Sequence, residues 1–109
     1  MVISDIPFAV IDWSQVERVE HPGESGLAVW RTRQCGSIRI RTVEYSPGYV
    51  CDHWCSKGHI LFCVAGELQT ELKDGRVFIL TAGMSYQVAD GAEPHRSSTT
   101  QGARLFVVD

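Results

Sequence analysis

The chain's clearest pattern is alternation of polar and apolar positions over short stretches. From Ile38 to Tyr45, Ile38 and Ile40 share one parity while Arg39 and Arg41 share the other. From Glu67 to Lys73, Leu68, Thr70 and Leu72 alternate with Glu67, Gln69 and Glu71. A period of two is that of an extended strand, whose successive side chains point to opposite faces. Asp74-Gly75 is a hairpin signal and leads into a returning strand from Arg76 to Leu80. Leu27 to Gln34 and Tyr49 to Cys55 read as further strands. Shorter ones fall at Val16 to Glu20, Met84 to Val88, His95 to Thr100 and Arg104 to Val108.

His59 to Ala65 breaks the alternation. Leu61, Cys63 and Ala65 occupy one face, and Ile60, Phe62 and Val64 the other. A strand apolar on both parities predicts cover on both faces, with Gly66 ending it. Ser46-Pro47-Gly48 is a tight turn, with proline setting one φ and glycine free to take a positive one. No stretch sustains a helical period, although Asp12 with Gln15 three positions on can cap one helical turn. Nine or ten short strands with turn signals between them predict an all-β sandwich or barrel. Residues 1–26 read as an extended segment that packs on the barrel or on a partner.

Composition narrows the classes without naming one. A chain of 109 residues suits a single domain, 1–109. The net charge of -3, with no run of either sign, excludes a nucleic-acid surface. No apolar run approaches the roughly 20 residues that span a bilayer. Met1 to Val10 has no basic residue ahead of its apolar ones and includes Asp5 and Pro7, unlike a signal peptide. The expected location is cytoplasmic, and there Cys35, Cys51, Cys55 and Cys63 should be thiols. Their spacing is not a Cys-x-x-Cys pair. Cys35 and Cys63 read as small buried hydrophobes.

The chemistry concentrates between Gly48 and Gly66, which hold His53, Cys55 and His59. In an extended strand His53 and Cys55 point the same way. A turn at Ser56-Lys57-Gly58 would let His59 face them, and His95 is a fourth candidate that needs the fold to bring it in. Tyr45, Gln69 and Arg41 are candidate pocket-lining residues. Arg39 and Arg41 share a face that could bind an anion, although a solvated or salt-bridged face is the simpler expectation.

The run Gly48, His53-Trp54-Cys55, His59, Gly66 resembles the first motif of the cupin superfamily, which are small jelly-roll barrels. Gly83, the turn at Gly91 and Pro94, and His95 resemble its second motif. The likeness covers about Ile38 to Val108. Asp52-His53-Trp54-Cys55 also resembles a subgroup of small cupins named for an Asp-His-Cys-Trp (DHCW) quartet, with the last two letters transposed. Cys55 stands where the family has a histidine, His59 where it has a glutamate, and Ala89 where proline is usual.

The resemblance implies a jelly-roll β-barrel that binds a divalent metal in its mouth through His53, Cys55, His59 and His95, and it implies a homodimer. Three imidazoles and a thiolate suit zinc first, with iron or nickel behind, and suit magnesium, calcium or manganese poorly. If all four bind, the site is closed and structural. If Cys55 stays off, a position opens for water or substrate. The implied function is that of a metal-dependent enzyme acting on a small polar molecule. The alternative is a non-catalytic binding or sensor protein with a structural metal or none. A third reading is thiol chemistry at Cys55, flanked by His53 and Lys57.

Overall fold

The computed structural model describes residues 2–109, so Met1 of the expected N-terminal segment lies outside it. The fold is all-β. Eight strands follow a single 3-10 turn at Trp13–Gln15: β1 (Val19–Pro22), β2 (Leu27–Cys35), β3 (Ile38–Tyr45), β4 (His59–Leu72), β5 (Val77–Thr81), β6 (Ser85–Val88), β7 (His95–Ser98) and β8 (Ala103–Val108). All pairings are antiparallel, in the order β1-β2-β3-β8-β4-β5, with β6 and β7 also pairing β4. No helix among the described residues is long and apolar enough to cross a membrane.

β4 organises the barrel. Its first half, from His59, pairs β8 and β6, and its second half pairs β5 and β7. One 14-residue strand therefore belongs to both layers. The sequence predicts two strands here with Gly66 as the break, and the structure corrects this to one bent strand. The bend needs that glycine. Gly66 has φ 79°, its backbone lies against Gly102 O, and the register with β8 slips between Cys63 and Ala65. Only a residue without Cβ tolerates both the positive φ and the close approach.

The expected strand from Tyr49 to Cys55 is absent. The ladder bonds run from Cys51 N to Ser97 O and from Cys55 N to His95 O. Four steps along one chain thus oppose two along the other, and Asp52, His53 and Trp54 loop out of register. The strand from Val16 to Glu20 forms three residues later, as β1.

The core inside the barrel is Val43, Leu61, Cys63, Leu68, Leu80, Ala103, Leu105 and Val107. The cover expected on both faces of His59 to Ala65 is supplied by the chain on one face only. Leu61 and Cys63 are buried, whereas Ile60, Phe62 and Val64 are 43–48% exposed. The first half of β4 lies in a single antiparallel layer, which has an inside and an outside. The N-terminal segment crosses that outside. Trp13 packs edge-on against Phe106 at 6.2 Å, and Arg31 donates to the carbonyls of Trp13 and Val16. Asp12 caps the 3-10 turn, but through Ser14 N rather than with Gln15.

Candidate metal and ligand site

The parity of β3 decides what the barrel encloses. Arg41, Val43 and Tyr45 share a face, and Val43 is core. The two isoleucines therefore lie outside and the two arginines inside, against the usual sorting of these residue types. Asp109 answers them. Arg39 donates from Nε and Nη2 to its two carboxylate oxygens at 2.8 and 3.0 Å, and Arg41 donates from Nη2 at 3.2 Å. The Asp109 side chain is 1% exposed. Its burial would raise the carboxyl pKa, but the Arg39 hydrogen bonds and the charges of Arg41 and Arg39 outweigh that and hold it below the ordinary value. The Arg41 guanidinium lies 4.1 Å from the Trp30 ring centroid.

Arg39, Arg41 and Trp30 line a cavity of about 480 Å³ with Glu20, Tyr45, Tyr49, Cys51, Asp52, His53, Cys55, His59, Tyr86, His95 and Arg96. A shallower apolar groove of about 530 Å³ runs outside along Val2, Ile38, Ile60 and Val108, and meets the cavity residues only at His59. At the inner site His59 Nε2 lies 3.1 Å from His95 Nε2 and 2.9 Å from the Tyr86 hydroxyl. β4 brings His59, β7 brings His95 and β6 brings Tyr86.

The tautomers follow from the partners. His95 Nδ1 lies 2.7 Å from the Glu93 carbonyl, which can only accept. His95 therefore donates from Nδ1, and its neutral Nε2 carries a lone pair. His59 Nδ1 is buried without a hydrogen bond, and the nearest carboxylate oxygen is Asp109 Oδ2 at 3.8 Å. A proton on Nδ1 faces that carboxylate and leaves Nε2 free to accept from Tyr86. Both Nε2 lone pairs then converge on one point. Burial, with the charges of His95 and Arg41, pushes the His59 pKa down to about 4, so the ring is neutral near pH 7. Burial likewise raises the Tyr86 phenol.

The donor set fits a metal. Two nitrogens about 2.1 Å from one ion sit about 3.0 Å apart at a right angle and about 3.4 Å apart at the tetrahedral angle. The observed 3.1 Å falls between these. His95 also has the outer partner usual for ligating histidines, the Glu93 carbonyl, whereas His59 Nδ1 has a carboxylate nearby at 3.8 Å but no hydrogen bond.

The remaining predicted residues divide. Cys55 exchanges both backbone hydrogen bonds with His95, at 2.8 and 2.9 Å, and lines the same cavity. His53 sits at the rim, 69% exposed, with Nδ1 2.7 Å from Asp52 Oδ1 and 3.7 Å from Cys51 Sγ. Cys51, Asp52 and His53 are the cluster of three potential ligands found among the described residues. The structure thus brings His59 and His95 into contact, bonds the Cys55 backbone to that of His95, and leaves His53 with different neighbours. Arg41 and Tyr45 line the cavity. Gln69, of opposite parity to the buried Leu68 and Thr70, is not among its lining residues. Sequence reasoning missed Tyr86, Asp109 and Trp30. Inward parity on β3, had it been assigned from Val43, would have pointed to the arginines and so to a buried carboxylate partner.

No protein-family model and no curated protein matches the chain. Solved structures do. A predicted oxalate decarboxylase from Thermotoga maritima matches at 15% identity and TM-score 0.78, over 92% of this chain and 96% of that one. Ectoine synthase from P. lautus matches at 17% identity and TM-score 0.75, over 93% and 76%. An RmlC-like cupin from Shewanella frigidimarina matches at 19% identity and TM-score 0.74, over 95% and 91%.

Proposed function

Because the chain has the cupin fold, we propose that its cavity is the site of a small metal-binding protein that takes a small polar molecule at the barrel mouth. The observation that carries the proposal is the convergence of the His59 and His95 Nε2 atoms at 3.1 Å, with His95 oriented by the Glu93 carbonyl. These two residues would hold the metal. Cys55 beside them, and His53 once released from Asp52, are the proposed further ligands, and the Tyr86 hydroxyl is already on the shared nitrogen. Zinc suits this mixed nitrogen and sulfur set best, with iron or nickel next. A bound metal would supply Lewis-acid chemistry. The chain's own residues orient the imidazoles, wall off water with Trp30 and Leu61, and present hydroxyl and guanidinium groups to an incoming molecule. The narrower DHCW subgroup likeness rests on the sequence alone.

One observation favours a binding or sensor role over turnover. The carboxylate nearest His59, Asp109, is held by two arginines and so is poorly placed to act as a base. In either role a cytoplasmic homodimer is the proposed state, joined across the exposed Ile60, Phe62 and Val64 face.

The test is elemental analysis of protein purified without chelators, beside a His59→Ala/His95→Ala variant and the single variants His53→Ala and Cys55→Ser. The expected result is about one metal per chain, lost in the double variant. No metal in the wild-type protein after reconstitution with zinc, iron or nickel would reject the proposal. The single variants decide which further residue binds.

A further inference from the structure

Two arginines on the cavity wall share a single buried carboxylate. Arg39 and Arg41 both face inward, and one buried carboxylate, Asp109, serves them both. Both guanidinium groups lean on this one carboxylate, at the end of the barrel where His59 also sits, while Glu20, Asp52 and Arg96 line the same cavity. A guanidinium stays protonated at any physiological pH, so this charge cannot be shed. Buried charges are ordinarily paired, and an unpaired one is costly.

Arg41 is the less satisfied of the two. It is 8% exposed, its contact to Asp109 is single, and its Nε is buried without a hydrogen-bond partner. Trp30 fixes the plane of the group from one side at 4.1 Å. Burial and the charge of Arg39 hold its pKa below the ordinary arginine value, as expected where an anion is missing from the balance. A planar, immobilised guanidinium on the cavity wall matches a carboxylate better than a neutral polar group. The surrounding wall adds the stacked rings of Tyr45 and Tyr49, 4.2 Å apart, which offer an apolar flank.

We infer that the small molecule taken by this cavity is an organic carboxylate, bound through Arg41 with its apolar body along the tyrosine wall. The inference rests on the cavity being a ligand site, as proposed above, but not on the metal. Asp109 Oδ2 lies 3.2 Å from Arg41 Nη2 and 3.8 Å from His59 Nδ1, so a carboxylate on Arg41 would lie next to the imidazole pair.

The experiment is a titration of chelator-treated and zinc-loaded protein with benzoate, and with neutral benzamide as the isostere. It is read at the Arg41 Nε–H resonance by NMR and by calorimetry. The expected result is saturable binding of benzoate in both forms, a shift of the Arg41 Nε–H resonance, and weaker or no binding of benzamide. Arg41→Lys keeps the charge but not the fork, and should weaken benzoate about tenfold. Should Arg41→Lys fold poorly, the contrast between benzoate and benzamide in the wild-type protein still decides. Equal binding of the two probes, or no benzoate binding up to about 10 mM, would overturn the inference. Benzoate binding with no zinc uptake would leave this inference standing while the metal reading falls. Zinc uptake without benzoate binding would do the reverse.

Discussion

The Nε2 atoms of His59 and His95 lie 3.1 Å apart across 36 positions of sequence. β4 and β7 carry them, and their outer nitrogens face Asp109 and the Glu93 carbonyl. His59 is neutral near pH 7, because burial and the nearby charges of His95 and Arg41 disfavour its protonated form.

That neutrality has a pH consequence. The folded His59 pKa, about 4, lies below the ordinary histidine value of 6.5. Between these values the unfolded chain binds a proton that the native chain refuses. Metal-free protein should therefore hold this part of its stability above about pH 6.5 and lose it as pH falls toward 4, by on the order of 3 kcal/mol at most. Urea unfolding from pH 7 to 4.5 should show this slope, and His59→Gln should flatten it. An unchanged slope in the variant would reject the assignment.

Asp109→Asn should destabilise the barrel by about 3 kcal/mol, because it leaves the buried Arg41 without its counter-charge and the half-buried Arg39 without its two-point partner. Below pH 4 the wild-type and variant curves should converge. The folded Asp109 pKa is depressed, so its stabilisation is complete above the unfolded value and disappears as pH falls through the folded one. Chemical denaturation at pH 7 and at pH 3 measures both.

Two glycines with positive φ should respond differently to alanine. Gly66→Ala meets Gly102 O and Ala103, so the bend in β4 cannot form as it stands, and a loss of about 3 kcal/mol or more is expected. Gly75→Ala has the same kind of backbone but open space around it, and should cost only about 1 kcal/mol. Comparable melting temperatures for the two variants would contradict the account of the bend.

Phe62, 43% exposed beside Ile60 and Val64, should contribute more to association than to folding. Phe62→Ser is expected to leave the monomer's stability within about 0.5 kcal/mol while shifting a dimer toward monomer. Light scattering over a concentration series reads this directly. Wild-type protein that is monomeric throughout would sink the dimer.

The sequence by itself determined the class and most of the strands. Ile38–Tyr45 forms as its alternation predicts, and Asp74-Gly75 turns the β4–β5 hairpin, because a period of two and turn chemistry are local properties. The site was legible only as a set of residue types. Parity argued that His53 and Cys55 point together, but an irregularity against β7 loops Asp52, His53 and Trp54 outward, and parity holds only within an unbroken ladder. Ile38, Ile40, Arg39 and Arg41 alternate either way round. Only the tertiary structure decided that the arginines go inside, because only there does Asp109, some 70 residues away, meet them. Tyr86 carries no local mark, and its role exists because β6 pairs the half of β4 that bears His59. Local pattern fixes which residues can share a face, while long-range pairing chooses the face that is enclosed.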